Sequence, residues 1–98
     1  MNIGGAIESV RKKKNIRQNE LAEKASITQS YLSLLENNKK DPTVSTLREI
    51  ATALDTPLPI LFFLALDEKD IPEHKVDIYK QTEPLLKSLI ETLFIQIK

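Results

Sequence analysis

The run Thr28-Gln29-Ser30-Tyr31-Leu32-Ser33-Leu34 holds the side chains with the most to offer chemically. At helical spacing Gln29, Ser30 and Ser33 share one face, with Thr28 at its start, while Leu32 and Leu35 point the other way. A glutamine amide sets a donor beside an acceptor, the pattern that pairs with N6 and N7 of adenine, and hydroxyls can meet several bases. Thr28, Gln29, Ser30 and Ser33 are therefore candidates for contact with base edges. Leu34 has two readings, contact with a thymine methyl or inward packing. Tyr31 is expected to face DNA, since Leu32 and Leu35 already supply the buried side. Catalysis has little to work with. The chain has no cysteine, and its one histidine, His74, stands in an acidic stretch without partner ligands. No glycine-rich phosphate loop or nucleophile beside a base is legible, so no enzyme activity, metal or cofactor is expected.

The elements that position these residues read as short helices. Ile3, Ile7 and Val10 lie on one face of a first helix ending near Lys14, with Asn15 as its stop. Residues 18–25 form a second, with Leu21, Ala22 and Ala25 inward. Thr28 is the expected N-cap of a third, from Gln29 to Glu36, and Ile27 with Leu32 fits a hydrophobic staple. Asn37-Asn38 closes it, because asparagine tolerates the left-handed conformation. Pro42-Thr43 opens a fourth helix with Val44, Leu47, Ile50, Ala51 and Leu54 as its core stripe, ended by Asp55-Thr56-Pro57. A fifth, about Pro59 to Leu66, is apolar nearly all round and must be buried on more than one side. Residues 67–72 read as a loop and 73–81 as a short helix. The last helix, about 83–97, has Pro84 in its first turn.

Composition sets outer limits. The 98 residues suffice for one domain with a modest core, and 41% hydrophobic with 29% charged is ordinary for a soluble protein. The absence of cysteine fits a reducing cytoplasm. No secretory signal is read, and the stretch Leu58 to Leu66 falls far short of the roughly 20 residues that span a membrane. Net charge is zero, but its distribution is uneven. Residues 11–40 hold eight Lys/Arg against three Glu, a balance of +5, whereas residues 67–77 hold five acids against two lysines, a balance of −3. A basic front half suits an anion-facing surface.

Two short helices joined by a tight turn suggest helix-turn-helix geometry. The stretches Gln18-Asn19-Glu20-Leu21-Ala22, Ser26 to Ser33, and Glu36-Asn37-Asn38-Lys39-Lys40-Asp41-Pro42-Thr43 together resemble the phage lambda repressor/Cro family, also called the XRE family. The resemblance runs from about Ile7 to Phe62. It implies that Gln18 contacts a phosphate, that positions 29, 30, 33 and 34 face bases, and that Asn37, Asn38 and Lys39 touch the DNA backbone. It also implies a structural ion pair between Arg11 and Glu36. Three positions depart from the pattern. Ser26 stands where glycine is usual, Arg17 replaces a Ser or Thr cap while adding a phosphate-directed charge, and Leu34 is at an often polar position.

The expected architecture is all-α: a five-helix lambda-repressor-like DNA-binding domain over residues 1–66, then a connector and one or two C-terminal helices over 67–98. Leu86, Leu89, Ile90, Leu93, Phe94 and Ile97 form an apolar stripe with two readings, intramolecular core or dimer interface. They offer more apolar surface than such a domain needs, and the expectation is a homodimer through this helix or the fifth, with a protein partner on the C-terminal helix as a further reading. Pairing would place two recognition helices about 34 Å apart, as a palindromic operator requires. The expected partner is double-stranded DNA, and the expected role is transcriptional control, with repression favoured. Readings kept open are an antitoxin, a restriction-system controller, and a protein-interaction module that no longer binds DNA.

Overall fold

Local capping signals set most helix boundaries in the computed structural model, which describes residues 1–95. Among the described residues there are six α-helices and no strand: α1 (Ile3–Lys13), α2 (Gln18–Lys24), α3 (Gln29–Glu36), α4 (Val44–Ala53), α5 (Leu58–Ala65) and α6 (Val76–Ile90). Two single 3-10 turns, Glu68–Asp70 and Glu73–Lys75, lead into α6, and a π-helical turn, Glu91–Ile95, continues it. No helix among the described residues is long and apolar enough to cross a membrane.

The first four helices end alike. Asn15, Ser26, Asn38 and Asp55 each follow a helix with φ between 51° and 58°. In each case the next residue's N–H reaches back across the last turn: Ile16 to the Arg11 carbonyl (3.0 Å), Ile27 to Ala22 (3.0 Å), Lys39 to Leu34 (2.9 Å) and Thr56 to Ala51 (3.0 Å). This is the Schellman closure, which satisfies carbonyls the helix leaves unpaired. Asn and Asp adopt the left-handed conformation at reduced cost; Ser26 lacks that advantage. Helix starts are capped as well. Thr28 Oγ1 accepts the Tyr31 N–H (3.0 Å) and Thr43 Oγ1 accepts that of Thr46 (3.1 Å). At α2, Glu20 accepts the Arg17 N–H (3.1 Å), but Arg17, a donor only, supplies no reciprocal bond.

The core is built where these helices cross. Ile7, Val10, Leu21, Leu32, Leu35, Ile50, Leu54 and Leu61 are almost wholly buried, with α1 packed on α3 and α5, and α2 on α3 and α4. α1 meets the end of α3 so closely that a Cβ on Gly4 would lie 2.2 Å from the Leu35 carbonyl oxygen and 2.8 Å from that of Glu36. The glycine lets α1 sit against α3 and hold it. α5 is buried along Leu61 and Ala65 and half-buried at Ile60, Phe62, Phe63 and Leu64, as its all-round apolar surface demands.

Three expectations need correction. Val44, assigned to the α4 stripe, is 57% exposed: as the first residue of that helix it lies beyond the reach of the core. The segments 73–81 and 83–97 are not two helices, because α6 runs unbroken through Pro84. Pro84 is exposed, and the Lys80 carbonyl deprived of a donor lies on the same helix face, where water can reach it. The stretch 67–72 holds a 3-10 turn, in which Asp67 and Asp70 accept backbone N–H groups from Lys69 (2.9 Å) and Asp67 (3.0 Å).

The polarity of α6 is reversed relative to an ordinary surface helix. Its charged row faces the domain: Glu83, Lys87 and Glu91 are half-buried, Glu91 pairs with Lys13, and Lys80 reaches Glu68 (3.3 Å). Its apolar row faces out, with Ile78, Leu85, Leu89 and Leu93 between 57% and 72% exposed and Leu86 at 41%. At the π turn the register shifts. Ile95 enters the core beside half-buried Ile90 and Phe94, while Leu93 stays outside.

Candidate nucleic-acid interface

The surface formed by α2 and the start of α3 is organised from the inside outward. Arg11, on α1, donates to both carboxylate oxygens of Glu36, Nε to Oε2 at 2.7 Å and Nη2 to Oε1 at 2.9 Å. Arg11 Nη1 also donates to the Ile16 carbonyl (3.1 Å), so the guanidinium ties the ends of α1 and α3 to the loop before α2. The Glu36 side chain is 1% exposed, and its hydrogen bonds push the Arg11 pKa up. The ion pair inferred from the resemblance is present.

From this pair a chain of hydrogen bonds leads to the surface. Gln18 Nε2 donates to Glu36 Oε1 (3.0 Å), and Gln29 Nε2 donates to Gln18 Oε1 (3.3 Å). The chemistry fixes which way both amides point. Arg11 only donates and Glu36 only accepts, so Gln18 must donate with nitrogen and offer its oxygen to Gln29. Gln29 keeps its own carbonyl oxygen and one N–H for a ligand.

Gln18, Gln29, Ser30, Ser33 and Leu34 line one open concavity of about 450 Å³. Thr28, Gln29 and Ser30 are exposed, while Ser33 and Leu34 are half-buried along its wall. No residue from Thr28 to Leu35 is charged. Cations stand around this neutral patch instead. The Arg17 side chain is 83% exposed, held only loosely by Glu20 at 3.9 Å, and Lys39 and Lys40 are exposed on the loop after α3. The arrangement offers hydrogen-bonding and apolar groups at the centre and positive charge at the rim, the distribution that meets base edges and phosphates respectively.

Tyr31 and Asn38 also make contacts within the domain. Tyr31 is half-buried and packs against the core, with Lys40 Nζ 6.0 Å from its ring centroid. Asn38 turns back to α1, where its Oδ1 accepts the Gly4 N–H (3.1 Å) and its Nδ2 donates to Asn2 Oδ1 (2.7 Å). Asn37 is exposed, its amide 3.5 Å from Ser33 Oγ. In the tail, Leu86, Leu89 and Leu93 face outward, Ile90 and Phe94 pack on the core, and Ile97 lies outside the described residues. Ile78 and Leu85 join the outward row, a placement their spacing from Leu89 and Leu93 carries.

The HTH_3 helix-turn-helix family matches residues 7–61. The immunity repressor protein of Bacillus phage phi105 is 30% identical over 95 residues, covering 85% of this chain and 66% of that repressor's length. The HTH-type transcriptional regulator SinR of Bacillus subtilis is 35% identical over 86 residues, covering 87% of this chain and 74% of SinR. Among solved structures, the clp gene regulator ClgR from C. glutamicum has a TM-score of 0.64 at 30% identity, covering 65% of this chain and 83% of ClgR. A second ClgR structure extends the likeness of fold to 94% of this chain, at 24% identity and the same TM-score.

Proposed function

The chain belongs to the HTH_3 helix-turn-helix family, whose members matched here are transcriptional regulators and not enzymes; on that premise we propose that it represses transcription in the cytoplasm by binding a palindromic operator as a homodimer. The observation that carries this reading is the neutral, hydrogen-bonding face of α3, fixed from behind by the Arg11–Glu36–Gln18–Gln29 chain and ringed by Arg17, Lys39 and Lys40. In this reading Thr28, Gln29, Ser30, Ser33 and Leu34 meet bases. Arg17, Gln18, Asn37 and Lys39 meet phosphates and supply affinity that weakens with salt. Residues 1–66 read the DNA and residues 67–98 pair the copies.

The outward leucines of α6 support the homodimer. A helix that turns its charges to its own domain and its leucines to water buries them only against another surface. A second copy fits because two-fold pairing sets like against like. Gln81, Thr82, Ser88 and Thr92, exposed beside the row, are uncharged, so self-pairing there brings no like charges together.

Analytical ultracentrifugation of the wild type and of Leu85→Glu/Leu89→Glu tests this assignment. The expected result is a wild-type dimer, a folded monomeric variant with unchanged helicity, and weaker operator binding by that variant. A wild type that stays monomeric while bound to its operator overturns the dimer.

A further inference from the structure

We propose that the cavity between the first five helices and the tail binds a small zwitterion, an α-amino acid with an apolar side chain. The cavity measures about 310 Å³ and is walled by α1, the end of α5 and the inward row of α6. That volume equals about ten water molecules and lies at the small end of the range of ligand sites. Its size follows from the residues beneath α6. On α1, Ser9 lies one turn on from both Gly5 and Ala6, and α5 ends in Ala65. None of these has a side chain long enough to fill the space, and Lys87 and Glu91 line it from the opposite wall.

The lining divides by polarity. Val10, Ala65 and Ile95, all buried, and half-buried Leu64 form an apolar floor. Around it stand two cations, Lys13 and Lys87, and two acids, Asp67 and Glu91. Two charges of each sign give a simple anion or cation no net attraction, whereas a molecule carrying both charges is met at each end. Lys87 is only loosely paired, 3.8 Å from Glu83, and keeps donors for a carboxylate. Lys13 pairs with Glu91, so a bound carboxylate and ammonium extend an alternation of charge already present. Asp67 accepts the Lys69 N–H (2.9 Å) and lies 3.3 Å from the Met1 amine, and a carboxylate has further lone pairs for an ammonium. With its charged end held there, the ligand's side chain leaves water for the floor of Val10, Leu64 and Ile95. Partial burial of Lys87 and Glu91 strengthens each charge contact relative to open solvent. Such a ligand ties α1 to α6, and with it the tail that carries the outward leucines.

NMR titration of the isotope-labelled full chain with L-valine, L-leucine and L-methionine tests the site. It needs no DNA, so failure here leaves the repressor reading in place. The expected result is saturable shifts at the amides of Ser9, Leu64 and Lys87 with at least one of the three. The same side chain on a lone carboxylate or a lone amine, 4-methylpentanoate and 3-methylbutylamine in the case of leucine, should bind weaker by about tenfold or more. These analogues leave the protein unchanged, so folding is not in question. Lys87→Met should weaken binding about 10- to 150-fold, the loss of one hydrogen bond between charged groups. Ser9→Phe, at an exposed position on the wall, should abolish it at wild-type helicity. No saturable shift with any of the three, equal binding of the singly charged analogues, or shifts that survive both substitutions overturns the proposal.

Discussion

Replacing Ser26 with glycine should stabilise the protein, and the size of the gain follows from the turn geometry. Ser26 has φ of 58° and closes α2, its N–H donating to the Glu23 carbonyl (3.1 Å) while Ile27 bonds Ala22. The left-handed conformation costs a residue with a Cβ about 1–2 kcal/mol. Glycine removes that cost but adds about 0.4–1 kcal/mol of unfolded-chain entropy. The serine side chain is exposed, and no described protein group bonds its hydroxyl, so nothing else is lost. The net gain for Ser26→Gly is about 0.5–1 kcal/mol, a rise in Tm of about 2–8 °C for a domain of this size. Thermal unfolding followed by circular dichroism measures it directly. Asn38 shares the φ of 58°, yet its side chain accepts the Gly4 N–H, so Asn38→Gly should lose about 1 kcal/mol instead. A Ser26→Gly protein no more stable than the wild type, or an Asn38→Gly protein more stable than it, would refute the reasoning. Operator affinity should be unchanged in Ser26→Gly, since the turn lies behind the reading face.

Other substitutions probe how α3 is held. Gly4→Ala forces a methyl against two backbone carbonyls of α3 and should cost about 1–3 kcal/mol, seen as a lower urea midpoint. Glu36→Ala strands the Arg11 guanidinium and should cost about 3–5 kcal/mol in the same assay; a loss under about 1 kcal/mol would mean the pair is solvated in the working protein. Lys39→Ala should weaken binding to specific and random duplexes alike and lower the salt slope by about 1, as measured by fluorescence anisotropy over a salt series. A loss confined to one base position would instead assign Lys39 to base reading.

Legibility in the sequence followed how local each signal was. Asn15, Asn38 and Asp55 mark helix ends because short polar side chains tolerate a positive φ, and the structure places all three there. Thr28 and Thr43 mark starts through one hydrogen bond spanning three residues. The Arg11–Glu36 pair joins positions 25 apart, which no periodicity relates; it was legible only through the family resemblance. Val44 continued the α4 stripe, but whether a helix end reaches the core depends on its neighbours. Pro84 most resembles a helix start, since its missing N–H is harmless there. In α6 it is tolerated mid-helix on an exposed face, a fact about solvent access rather than spacing. The π turn hid the tail's arrangement too. A uniform helix would carry Ile95 off the side that Lys87, Ile90 and Phe94 share, whereas the π turn brings Ile95 into the core beside Phe94 and leaves Leu93 in water.

Whether a dimer of this protein reads a specific DNA sequence through α3 is decided by selecting bound duplexes from a randomised pool at two salt concentrations and sequencing them. The expected result is enrichment of a two-fold symmetric site with half-site centres about one helical turn apart, and weaker binding at the higher salt. Salt-sensitive binding with no enriched sequence, or an enriched site without symmetry, would contradict it.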